Sequence, residues 1–205
     1  MVFDKLVVGS FETNCYLAGD VDSLECAVID PGEEAEKIIN RLRAGRLIPK
    51  MILLTHGHFD HFGAVSELKE KFKMPLLMHE NDLQAIDQSL EFAHRFGIYP
   101  GKCLPDELLK AGDIIRIGKY ALEVVETPGH TPGGLSFLAE YEIFVGDTLF
   151  KNGVGRTDLP GGNAALLKKS LLKIIQLDDN LKILPGHGPE TTVGEEKKNN
   201  PFLKI

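Results

Sequence analysis

Thr55-His56-Gly57-His58-Phe59-Asp60-His61 sets three imidazoles and a carboxylate close together, directly after the apolar run Met51-Ile52-Leu53-Leu54. An apolar run closed by a polar turn containing glycine reads as a buried strand feeding a loop. A loop at a strand's end can aim several side chains at one point. Four potential ligands aimed that way repel or desolvate one another unless a cation lies among them. Chance is the alternative, and with this chain's own His and Asp frequencies the pattern His-x-His-x-Asp-His arises on the order of once in two thousand such chains. The stretch is read as half of a metal site.

Three further positions supply the other half. His130 lies in Thr127-Pro128-Gly129-His130-Thr131-Pro132-Gly133-Gly134, after the alternating segment Leu122 to Thr127. Asp147 follows the apolar Ile143-Phe144-Val145-Gly146, and His187 sits in Pro185-Gly186-His187-Gly188-Pro189 after Leu181 to Leu184. A lone histidine in a Gly-Pro loop is usually structural. Four such loops, each just past a strand, point instead to one convergent site. Imidazoles and carboxylates without thiolates suit zinc, iron or manganese.

In residue type and order this set resembles the metallo-β-lactamase superfamily. Within it the chain resembles the glyoxalase II group, in particular its short single-domain hydroxyacylglutathione hydrolases. That narrower likeness is carried by Gly146-Asp147-Thr148-Leu149-Phe150, Gly153-Val154-Gly155-Arg156-Thr157-Asp158, Gly186-His187-Gly188-Pro189 and Asn200-Pro201-Phe202-Leu203. The resemblance implies an α/β (α+β) four-layer αβ/βα sandwich, with one hydrolase domain over residues 1–205. It also implies two divalent metal ions, zinc foremost and iron or manganese as alternatives. His56, His58 and His130 would hold the first, Asp60, His61 and His187 the second, with Asp147 bridging. A hydroxide shared by the metals would attack the thioester of S-D-lactoylglutathione, giving D-lactate and glutathione. A thiolate with a pKa near ~8.5 leaves without a strong general acid, so no separate acid is needed. Asp60 would act as a general base only with a single metal bound.

Arg156 matches a basic residue that contacts the thiol carrier in that group; pairing with Asp158 is its structural alternative. Asp158 stands where the larger enzymes have tyrosine, and only residues 188–205 follow His187, without the helical C-terminal domain that clamps glutathione in those enzymes. Asp30, in Val28-Ile29-Asp30-Pro31-Gly32, either orients a ligand imidazole or caps a turn. His79 and His94 read as ordinary histidines, Asn14-Cys15-Tyr16 as family-like without assigned chemistry, and Pro160-Gly161-Gly162 as a loop. The rival activity on this fold is a persulfide dioxygenase acting on glutathione persulfide, with a single iron held by His56, His130 and Asp147. A scaffold that has lost its ligands does not fit an intact set.

The remaining sequence agrees with an enzyme of ordinary globular composition. Its 205 residues can bury a sizeable core, and a net charge of −7 argues against nucleic acid as partner. No apolar run is long enough to span a bilayer, and the start, Met1-Val2-Phe3-Asp4-Lys5, lacks a signal peptide's features. Cys15, Cys26 and Cys103 show no metal-binding spacing and read as reduced thiols, which places the protein in the cytoplasm. Strands are expected over 2–9, 13–19, 24–29, 76–78, 113–117, 120–127, 134–139 and 142–146. Helices are expected over 33–44 (apolar at Ala35, Ile38, Ile39 and Leu42, closed by Gly45), near 64–72, over 81–96, and over 163–176 with Asn163 as N-cap.

Overall fold

A strand that borders two cores must be apolar on both faces, and two strands here show it. Strands β2 (Thr13–Gly19) and β10 (Glu142–Gly146) are buried at every position. In β2, Cys15 and Leu17 face one core while Tyr16 and Ala18 face another. In β10, Phe144 shares that second core, and Ile143 and Val145 enter a third. Alternation with period two thus divides the apolar residues among three cores and so fixes four layers. These features come from a computed structural model that describes residues 2–95, 97–101 and 103–204.

The first sheet runs β1 (Val2–Val8), β2, β3 (Glu25–Ile29), β4 (Ile48–Leu53), β5 (Leu76–His79) and β6 (Glu107–Leu109) in spatial order. It begins as an antiparallel meander and is parallel from β3 onward. The second sheet runs β14 (Thr191–Thr192), β13 (Lys182–Pro185), β10, β9 (Leu135–Leu138), β8 (Tyr120–Glu126) and β7 (Ile114–Ile117), with β10 and β13 parallel. Helices α1 (Ala35–Ala44), α3 (Val65–Phe72) and α4 (Leu83–Arg95) cover the outer face of the first sheet. Helices α5 (Ala164–Ile174) and α6 (Val193–Asn199) cover the second. Between the sheets lie Tyr16, Ile29, Leu53, Leu122, Phe137 and Phe144. The result is the expected four-layer sandwich.

Several boundaries differ from the sequence expectation for local reasons. Helix α1 starts at Ala35 rather than Glu33, because Glu34 takes a left-handed conformation, φ 55°, and cannot join the helix. Gly45 does close α1, but the left-handed residue is Arg46, at φ 54°. The segment expected as one helix over 81–96 divides into a 3₁₀ turn at Glu80–Asp82 and then α4; position 96 lies outside the described residues. Asn163 caps α5 by accepting from the amides of Ala165 and Leu166.

Candidate metal centre

Parallel strands bring their C-terminal ends to one edge, where loops can converge. Asp30 ends β3, the His56–His61 loop follows β4, Asp147 follows β10 and His187 follows β13. His130 comes from the loop between β8 and β9. The seven side chains meet there. Ligand-type atoms of His56, His58 and His130 lie within 4.8 Å of one another, and so do those of Asp60, His61 and His187. A third such set, His56, His61 and Asp147, joins the two. Asp147 Oδ2 stands 3.6 Å from both His130 Nε2 and His187 Nε2, and its Oδ1 stands 3.5 Å from His61 Nε2.

The backs of the rings decide what faces inward. Thr55 Oγ1 donates to Asp30 Oδ2 at 2.7 Å, so it accepts from His56 Nδ1 at 3.0 Å. His130 Nδ1 donates to the Arg156 carbonyl at 2.8 Å, and His187 Nδ1 to the Phe11 carbonyl at 3.0 Å. His61 Nδ1 lies 3.0 Å from Asp30 Oδ2. With these outer nitrogens carrying protons, four Nε2 lone pairs point into the centre. His61 Nε2 and His187 Nε2 are then only 3.3 Å apart, a repulsive approach unless a cation intervenes. His56 Nε2 and Asp147 Oδ1 are buried without hydrogen-bond partners. Converging lone pairs and orphaned polar atoms fit a bound metal.

Charge is distributed unevenly across the site. Burial, helped by the neighbouring imidazoles His61, His58 and His130, drives the His56 pKa well below its ordinary value. Burial and His130 bring His58 down to about 3. Burial works in the same direction on His61, but Asp60, Asp30 and Asp147 outweigh it and raise that pKa to about 10. For Asp60 the burial penalty is overcome by His61 and by the bond to His187, so its pKa falls well below the usual carboxylate range. On one side His56 and His58 are kept neutral, while on the other His61 is drawn toward positive charge.

Residues that sequence patterns left without a role hold the loops together. Asn14 Nδ2 donates to the carbonyls of Pro185 and Gly188, both at 2.9 Å, and Tyr16 Oη to that of Pro185 at 2.8 Å. The first sheet thereby grips the His187 loop of the second. Gly186 lets that loop close in, since a Cβ there would overlap Asp147 Oδ1 and His61. Asp82 is wholly buried; it accepts from Gly57 N at 2.8 Å, Thr131 Oγ1 at 2.8 Å and Gly133 N at 2.5 Å. It joins the His56–His58 loop to the His130 loop. Asp30, at φ 51°, accepts from Thr55 N at 2.8 Å besides its contacts with Thr55 Oγ1 and His61. His79 lies outside the centre, 3.4 Å from Glu126, and His94 is exposed beside Tyr99.

A cavity of about 500 Å³ opens onto the centre at His58, Asp60, His130 and Asp147. One wall is α4, presenting Gln88, Glu91, Phe92 and Arg95; Phe11, Arg156 and Pro160 also border the space. Arg156 forms a two-point pair with Asp158, 2.7 Å at each contact, while its carbonyl holds His130.

Two stacked sheets whose strand ends gather a His/Asp cluster under an open cavity define a metal-binding scaffold. The chain belongs to the Metallo-beta-lactamase superfamily, whose domain matches residues 8–187. It is 41% identical over 211 residues to the hydroxyacylglutathione hydrolase GloC of Haemophilus influenzae, covering 99% of this chain and 98% of that protein. Its fold matches that of BLEG-1 B3 metallo-beta-lactamase with a TM-score of 0.92 at 38% identity, covering both chains fully. TTHA1623 in a di-iron-bound form matches at 0.89 and 37%, covering 98% of this chain and 100% of the other. Family and cluster together make this a metal-binding protein of the hydrolase kind.

Proposed function

We propose that the protein is a binuclear metal-dependent thioester hydrolase acting on hydroxyacylglutathione, with S-D-lactoylglutathione as substrate. The observation that carries this reading is the placement of Asp147, whose one carboxylate reaches rings of both triads. His56, His58 and His130 would hold one ion, Asp60, His61 and His187 the other, with Asp147 shared. Ions so bound, zinc first and iron or manganese as alternatives, would acidify water and polarise an acyl carbonyl. The chain's own part is to fix the rings. Asp30, Thr55 and the carbonyls of Phe11 and Arg156 hold the outer nitrogens, so each lone pair stays directed inward. Phe11, Phe59 and Phe92 give the cavity an apolar lining that limits water around the reacting carbonyl. The similarity to GloC supports the glutathione conjugate as substrate class. Three buried, unpaired thiols support a reducing, cytoplasmic setting.

A mononuclear iron persulfide dioxygenase would use His56, His130 and Asp147 and leave Asp60, His61 and His187 without a task. The deciding experiment is elemental analysis paired with hydrolysis of S-D-lactoylglutathione on one sample. About two ions per chain with turnover abolished by chelation is the expected result. One iron per chain, no hydrolysis and oxygen uptake with glutathione persulfide would replace this reading with the dioxygenase.

A further inference from the structure

Helix α4 presents a charged pair to the cavity that the metal centre does not use. Glu91 and Arg95 both line it, both are exposed, and neither makes an ion pair with a described residue. They stand four residues apart, so they sit on one face of the helix about one turn from each other. The other guanidinium at the cavity, Arg156, is already matched by Asp158 through two contacts of 2.7 Å. Arg95 is therefore the cationic group on this cavity with charge left to offer a ligand. Between this pair and the metal centre, Phe92 extends the aromatic row of Phe11 and Phe59, whose rings meet edge to face at 5.0 Å. The cavity runs from the metal ligands to the charged pair along an apolar wall.

We infer that α4 recognises the thiol carrier of the substrate by its zwitterionic end: Arg95 binds the α-carboxylate of the γ-glutamyl group and Glu91 its α-ammonium. This rests on the glutathione thioester reading above. Glutathione carries these two opposite charges on a single carbon, and the helix offers the complementary charges one turn apart. Carboxylate recognition by guanidinium is charge-assisted and directional, which gives α4 a selective role rather than only a covering one. The same wall gives a long, polar thiol a surface to lie along. The acyl end points to the metal ligands, the peptide lies along the phenylalanines, and the γ-glutamyl end is fixed by the helix.

The test is steady-state kinetics of the wild-type holoenzyme, Arg95→Ala and Glu91→Gln on two substrates with the same acyl group. One is S-D-lactoylglutathione; the other is the D-lactoyl thioester of N-acetylcysteamine, whose thiol carrier is uncharged. Arg95→Ala is expected to raise KM for the glutathione thioester roughly tenfold with kcat little changed. Glu91→Gln should raise it less, and both variants should shift KM for the uncharged thioester far less. Metal content and the circular dichroism spectrum confirm that each variant is folded and loaded. An unchanged KM for S-D-lactoylglutathione in Arg95→Ala overturns the inference, as does an equal rise for both substrates. Wild-type enzyme that hydrolyses the uncharged thioester as well as the glutathione one also overturns it, while leaving the thioesterase reading intact. Hydrolysis of neither removes the thioesterase reading itself.

Discussion

The two triads of the centre are made of similar parts, yet they differ in charge and exposure. His56, His58 and His130 form an all-imidazole set, with His56 and His130 only 3% and 5% exposed. Asp60, His61 and His187 include a carboxylate, are backed by Asp30 through His61, and reach the surface at His187, whose side chain is 27% exposed. One short motif feeds both. His56 lies in a bend after β4, and His58 is in extended backbone, φ −84° and ψ 142°. A single helical turn, α2 (Phe59–Phe62), starts directly after His58 and swings Asp60 and His61 toward the second triad. The onset of that turn thus separates His56 and His58 from Asp60 and His61. Asp147, from the other sheet, faces both.

The shared carboxylate offers the most direct way to break this division. Asp147→Ala removes the group that stands between the triads, so the loss should exceed that of any change confined to one side. Metals supply several kcal/mol of transition-state stabilisation, so hydrolysis is expected to fall about a thousandfold or more. Elemental analysis should show the metal content falling well below two ions per chain. Full metal content in this variant would mean the triads do not depend on a common ligand.

Charge predicts that the triads prefer different metals. Carboxylate suits manganese, while an all-imidazole set suits zinc or iron. Asp60→Asn should therefore lose the ion of the second triad and keep about one per chain, with activity lowered by about a hundredfold as one of two cooperating metals is removed. Wild-type protein loaded with both metals should hold manganese in the carboxylate-bearing triad, and its paramagnetic signal should vanish in Asp60→Asn. A signal that persists there would show that the two sides do not differ in the way their charges imply.

The residues that converge on the centre were legible in the sequence because each lies just past an apolar or alternating run, and such runs are what periodicity detects. Their supports were not. Asp82 falls near the start of the helix expected over 81–96, with nothing to mark a role, and only the folded topology brings it to Gly57 and Gly133. Asn14 meets Pro185 across a sequence separation of 171 residues, beyond any local pattern. Strands β6, β11 (Leu149–Phe150), β12 (Gly153–Val154) and β14 are two or three residues long, too short to show alternation. Helix α6 escaped notice because its polar run Glu195-Glu196-Lys197-Lys198 conceals a buried Glu196. That carboxylate accepts from Thr191 Oγ1 at 2.6 Å and from Asn200 Nδ2 and Asn152 N at 2.8 Å each. Local chemistry announces which residues converge, whereas non-local contacts decide how they are held.

Those supports allow each triad to be loosened separately. Asp30 steadies His61 of the second triad and also Thr55, which holds His56 of the first. Asp82 joins only the loops carrying His56, His58 and His130. Groups that orient ligands typically alter metal affinity by about 10–100-fold. Asp82→Asn, which must turn one amide hydrogen toward a donor, should weaken chiefly the ion of the all-imidazole triad. Asp30→Asn should weaken both ions. Chelator competition separates the outcomes as one or two altered dissociation steps. Equal effects of the two substitutions would collapse the distinction.

The smallest expected effect lies at the rim. Arg156 and Asp158 are joined in a two-point pair, but both are largely exposed, and exposed pairs contribute little to stability. The structural service of Arg156 is done by its backbone carbonyl, which accepts from His130 Nδ1 and survives any side-chain change. Arg156→Ala should therefore keep the thermal midpoint and metal content of the parent, and shift KM for S-D-lactoylglutathione less than Arg95→Ala does, because Asp158 has already neutralised the guanidinium. A clear loss of metal in Arg156→Ala would show that the side chain, and not only the carbonyl, holds the His130 loop in place. The all-imidazole triad would then depend on the rim as well as on Asp82.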